Sequence, residues 1–79
     1  MDNKVYVDVV AEFTADGQLK PKSVRWEDGR VYEIDRIKDV RRAASLKAGG
    51  VGTRYTCMIC NQEKHLFYED KNRWFMERA

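Results

Sequence analysis

Ser23-Val24-Arg25-Trp26-Glu27-Asp28-Gly29-Arg30-Val31-Tyr32-Glu33-Ile34-Asp35-Arg36-Ile37 is the stretch that decides the fold. It reads as a β-hairpin, and its apolar residues choose the register. A two-residue turn at Asp28-Gly29, the default for that dipeptide, pairs Val24 with Glu33 and puts Trp26 on the same face as that carboxylate. A three-residue loop, Glu27-Asp28-Gly29, does better. Gly29 then takes the left-handed position of a G1 bulge with no Cβ in the way. Val24, Trp26, Tyr32 and Ile34 share one face; Ser23, Arg25, Val31 and Glu33 share the other. A slip of one residue would scatter the apolar set, so the pattern selects the register.

The flanking segments follow the same period. Lys4–Phe13 alternates, with Val5, Val7, Val9, Ala11 and Phe13 on one face and Tyr6, Asp8, Val10 and Glu12 on the other, which is a strand rich in β-formers. Asp16-Gly17 marks a turn, and Pro21 confines any strand there to an edge or an irregular start. Arg54–Cys60 reads as a strand with Tyr55, Cys57 and Ile59 on one face and Thr56, Met58 and Cys60 on the other, and Asn61–Lys64 as a turn. Leu66–Glu69 and Arg73–Glu77 form a last hairpin across Asp70-Lys71-Asn72, pairing Tyr68 with Trp74, Phe67 with Phe75 and Glu69 with Arg73.

Ile34–Lys47 admits two readings. Ile34, Ile37 and Val40 have helical spacing, and Ala43, Ala44, Leu46 and Ala48 are good helix formers ahead of Gly49-Gly50. The preferred reading carries the hairpin strand through a bulge near Asp35-Arg36, so that Ile34 and Ile37 both face inward, as far as about Val40. A short helical turn within 38–48 is the alternative. The expected fold is mainly β: a small antiparallel SH3-like barrel or strongly bent sheet of five to six strands.

Seventy-nine residues are expected to make a single domain, 1–79. A chain this short buries only about 60% of its unfolded surface, so Trp26, Tyr32, Tyr68 and Trp74 are expected in the core and there is little room for a catalytic set. No apolar run approaches the roughly 20 residues of a membrane span, and the N-terminus has no apolar signal region. Two cysteines in that setting imply reduced thiols and a cytoplasmic protein. The net charge of +2 is unevenly spread: −3 over residues 1–19, +5 over 20–54 and zero over 55–79.

Trp26-x-x-Gly-Arg-x-Tyr-x-Ile-Asp-x-Ile, Lys47-Ala-Gly-Gly-x-Gly-x-Arg-Tyr-Thr and the closing Trp74-Phe75 pair resemble a family of small bacterial proteins of unknown function with an SH3-like β-barrel. The likeness covers roughly residues 20–77. It implies that fold and carries no activity, ligand or catalytic residue with it.

Cys57-Met58-Ile59-Cys60 has the spacing of a zinc or dithiol site. Zinc needs four ligands, and two thiols with the lone His65 make three. On a strand, residues three apart point to opposite faces, so the thiols are expected to pack as small hydrophobes. His65 is expected at the surface. Gly49-Gly50-Val51-Gly52 lacks the trailing Lys-Ser/Thr of a phosphate loop and reads as a flexible, exposed connection. Arg36, Lys38, Arg41, Arg42, Lys47 and Arg54 gather around that loop, with Tyr55 as a stacking platform and with Asp35 and Asp39 interleaved.

The leading expectation is a non-enzymatic binding or interaction domain whose target is a protein partner or a second copy, with no cofactor and no metal. Its candidate binding residues are Arg36, Arg41, Arg42, Lys47, Arg54 and Tyr55. The alternative is a nucleic-acid-binding module using the basic 36–54 segment. A zinc or thiol site at Cys57 and Cys60 stands third.

Overall fold

The structure is a computed structural model that describes residues 3–45, 51–69 and 71–78. Seven strands run through the described residues: β1 Lys4–Phe13, β2 Leu19–Arg25, β3 Val31–Glu33, β4 Arg36–Ala44, β5 Val51–Ile59, β6 Gln62–Glu69 and β7 Arg73–Glu77. They form one antiparallel sheet in the order β3-β2-β1-β7-β6-β5-β4, curled into a half-barrel. The expected class holds, with one strand more than foreseen.

Two hairpin loops share one chemistry. Trp26 N–H donates to Arg30 O at 2.8 Å and Gly29 N–H to Trp26 O at 2.9 Å, with Gly29 at φ 89°. Thr14 N–H donates to Gln18 O at 2.8 Å and Gly17 N–H to Thr14 O at 2.9 Å, with Gly17 at φ 85°. Each is a three-residue loop with Asp-Gly at its end, where only glycine takes the left-handed position without strain. Val24 therefore pairs with Tyr32, in the register the apolar pattern selects. The last hairpin also keeps its expected register: Tyr68 with Trp74, Phe67 with Phe75, Glu69 with Arg73.

The inner face of the curl carries the core. Val5, Val7, Val24, Tyr55, Cys57, Ile59, Leu66, Trp74 and Met76 are buried there, and Trp26, Tyr32, Ile34, Ile37 and Tyr68 pack against them partly exposed. Phe13, which alternates onto the face of Val5 and Val7, is nonetheless 75% exposed; it pairs with Leu19 at the tip of the first hairpin, beyond the core.

The outer face is not simply a solvent face. Phe67 and Phe75 stack there at 4.8 Å and both are fully buried. Tyr6 and His65 meet them edge-on, and the Lys4 ammonium lies 4.6 Å from the Phe75 ring. Ser45, at the end of β4, is buried and donates to Glu77 Oε2 at 2.7 Å. This side of the sheet thus has a small aromatic core of its own.

Four expectations on boundaries need correction. The segment after Ile34 stays a strand to Ala44, not to Val40, because every residue from Asp39 to Ala44 has a partner in β5. Pairing overrides helix propensity. No helix forms over residues 38–45, and 46–48 lie outside the described residues. The expected bulge near Asp35 is instead a change of partner: Ile34 N–H donates to Lys22 O on β2 and Asp35 N–H to Met58 O on β5, each at 2.9 Å. That switch divides one expected strand into β3 and β4, and the ladder slips once more between Ile37 and Asp39. The turn expected at Asn61–Lys64 sits at Cys60-Asn61, both at positive φ (52° and 62°), so β6 begins at Gln62. Gly52, expected in an exposed loop, is buried inside β5, while Gly49 and Gly50 lie outside the described residues.

Candidate groove at the barrel seam

Two strand edges face each other where the curl fails to close. β3 covers only Ser23–Arg25 of β2, and the Ile34 bond to Lys22 O extends that cover by one residue. Leu19–Pro21 then have ladder partners in β1 alone. Pro21 fits this position, since it offers no N–H to an open edge and its ring is fully buried. β4 is likewise paired on one side only, with β5.

Between these edges runs a groove of about 740 Å³. Leu19 and Pro21 form one wall; Ile37, Val40 and Tyr55 form the other wall and the floor. Val40 is 51% exposed, a large share for valine on an inward-facing position. Tyr55 ties the floor together, since its hydroxyl donates to Leu19 O at 2.7 Å and links β5 to β2. Burial pushes that phenol up from its ordinary value and keeps it a neutral donor.

The rim is basic. Lys20, Lys22 and Arg36 line it against the single carboxylate Asp35. Lys22 is bridged to Glu12 at 3.1 Å, whereas Lys20 and Arg36 have no salt-bridge partner among the described residues. An open rim of this kind attracts an anionic partner.

The residues expected to form a binding site are not brought together. Arg36 is on the rim and Tyr55 beneath it, 5% exposed; as a buried ring it offers no platform for a stacked base. Arg41 turns to the outer face, where its Nε donates to Asp39 Oδ2 at 2.6 Å. This hydrogen bond is the main reason the Asp39 carboxyl titrates below its usual range. Lys38 is held by Glu63 at 2.9 Å, and that bond lowers the Glu63 carboxyl in turn. Arg54 pairs with Phe67 on the half-buried outer side. Arg42 pairs with Thr53, and Lys47 lies outside the described residues. The basic segment is therefore divided between two faces and partly neutralised. Sequence reasoning missed Lys20, Lys22 and Val40. The signal was Lys20-Pro21-Lys22, a proline between two lysines, which marks an unpaired edge.

The cysteines also part. Cys57 faces the core, fully buried, and burial pushes its thiol up to about 11. Cys60 is exposed in the turn. His65, expected beside a turn at the surface, is half-buried within β6. It pairs with Thr56 on the opposite face from Cys57, its Nδ1 3.9 Å from Glu77 Oε1. Among the described residues no group of three or more His, Cys, Asp or Glu is placed to hold a metal ion, and no helix is long and apolar enough to cross a membrane.

No family model, no curated protein and no solved structure matches the chain.

Proposed function

We propose that this chain is a non-enzymatic interaction domain that accepts an extended segment of a partner protein in the groove between β2 and β4. The observation that carries this reading is the pair of strand edges flanking an apolar floor under a basic rim. An extended segment laid there gains main-chain hydrogen bonds from an open edge, while alternate side chains reach Leu19, Val40 and Tyr55. Acidic residues at the intervening positions meet Lys20, Lys22 and Arg36. The nucleic-acid reading has less support: Arg41 and Lys38 are paired with carboxylates, and Tyr55 is buried. An SH3-like class for the curled sheet and a cytoplasmic location belong to the same proposal, the second resting on two free thiols.

Selection from a random peptide library, followed by solution titration, tests it. Selected peptides should alternate apolar and acidic residues. They should lose about tenfold or more in affinity on Val40→Glu or Arg36→Glu, a loss of roughly 1.4 kcal/mol, and bind Arg41→Glu unchanged. Peptides indifferent to Val40→Glu, or tighter binding of a single-stranded oligonucleotide at low salt, would overturn it.

A further inference from the structure

At the other end of β2 the same inner face opens into a second recess, of about 270 Å³. Val24, Ile59 and Met76 line it from the core, each under a tenth exposed, and the half-buried rings of Trp26 and Tyr32 wall it. The lining is apolar, and the volume exceeds the roughly 150 Å³ of a cavity known to take up benzene. It has room for one ring and a short chain.

The mouth has a sign. Lys64 lines it from β6, opposite Cys57 on the inward register, and has no salt-bridge partner among the described residues. Leu66 pairs with Met76. Lys64 and Arg78 each lie two residues beyond that pair, on the same inward side. Arg78 reaches across to Glu27, in the loop beside Trp26, with Nη2 2.9 Å from Oε1. That bridge pairs Arg78 with Glu27, so neither adds a free charge. Gln62 and Glu77 also line the recess, but the Glu77 carboxylate accepts from Ser45 Oγ at 2.7 Å and lies 3.9 Å from His65 Nδ1 on the outer face. A ligand seated with its ring on Trp26 can place its polar end toward the Lys64 ammonium.

We infer that this recess binds a small aromatic carboxylate, its ring against Trp26 and Ile59 and its anion at Lys64. The site is separate from the seam groove and does not depend on it. The same chemistry occurs in a free aryl acid and in the terminal aromatic residue of a peptide, so both are probed.

The test uses the whole chain and follows the Trp26 indole N–H by NMR while phenylacetate, phenylacetamide, phenethylamine or acetyl-glycyl-phenylalanine is added. Phenylacetate should bind in roughly the millimolar range, as suits so few atoms, and about tenfold more tightly than the amide or the amine. Lys64→Gln, a change at an exposed position, should erase the preference for the anion and leave phenylacetamide binding as it was. Ile59→Trp should fill the recess and abolish both. Tighter binding of acetyl-glycyl-phenylalanine than of phenylacetate supports the site with a chain terminus as the source, and the reverse order supports it with a free acid. Equal affinity for phenylacetate and phenylacetamide would overturn the carboxylate assignment. A Trp26 signal that does not move at about 10 mM of any probe, well above the expected range, would overturn the site.

Discussion

A β-carbon placed on Gly52 would stand 2.6 Å from the carbonyl oxygen of Tyr68. Gly52 is the second residue of β5, paired with Ala43, and its missing side chain lets β5 approach β6 backbone to backbone. Because the facing atom belongs to the main chain, it cannot swing aside. Gly52→Ala should cost roughly 1–3 kcal/mol, the range for overpacking, read as a lower urea midpoint with an unchanged slope. A loss below about 0.5 kcal/mol, the size of an ordinary surface change, would mean the sheet yields there.

Cys60 is strained for a different reason. It occupies φ 52° in a two-residue turn where glycine would sit without penalty. Cys60→Gly should raise stability by about 1 kcal/mol, or about 4–8 °C in Tm for a chain this size. A fall in Tm would show that the thiol makes contacts worth more than the backbone strain.

The two thiols should report their settings separately. In the native protein at pH 8 only Cys60 should react with a thiol reagent, and Cys57 only on unfolding. Burial raises the Cys57 thiol from its ordinary 9.0 to about 11. The folded state therefore keeps a proton that the unfolded state releases. The resulting stability is complete below pH 9 and is lost as pH rises toward 11. In a Cys60→Ser background, Cys57→Ala should remove that part of the alkaline slope.

Phe67 and Phe75 test whether the outer face carries structural weight. Phe67→Ala should cost about 3–5 kcal/mol, as for a core aromatic. A double-mutant cycle with Phe75→Ala should give a coupling of about 0.5–1.5 kcal/mol. A value near zero would return this face to solvent.

Acid should act through Asp39 and Glu63, whose carboxyls are lowered chiefly by hydrogen bonds from Arg41 and Lys38. Their contribution is present above the unfolded carboxylate pKa and is lost as pH falls through the lowered folded values. Both groups lie at the surface, so the effect is small and weakened by salt. NMR titration should show the Asp39 carboxyl rising toward its ordinary range in Arg41→Gln and the Glu63 carboxyl doing so in Lys38→Gln. No movement in either would remove the pairing.

How much could be read without coordinates depended on the range of the interaction. The hairpins at 23–34 and 66–77 were legible because alternation and a loop residue suited to positive φ act within a few positions, and Val24, Gly29, Tyr32 and Trp74 carry both signals. The strand through Arg41-Arg42-Ala43-Ala44 was not, because its local preference is helical and its hydrogen bonds come from β5. Arg36 stands out by its charge and Tyr55 by its ring, yet Lys20, on the opposite side of the groove, is far from both in the chain.

The residues by themselves determined a β-sheet domain, the registers of two hairpins and the shared face of Val24, Trp26, Tyr32 and Ile34, since steric period and turn chemistry are local. Only the tertiary structure decided that the chain changes partner between Ile34 and Asp35, that the sheet curls until β2 and β4 flank a groove, and that Tyr55 lies beneath it while Arg41 faces away. Those outcomes depend on long-range pairing and on the twist summed over seven strands, which no short stretch of sequence encodes.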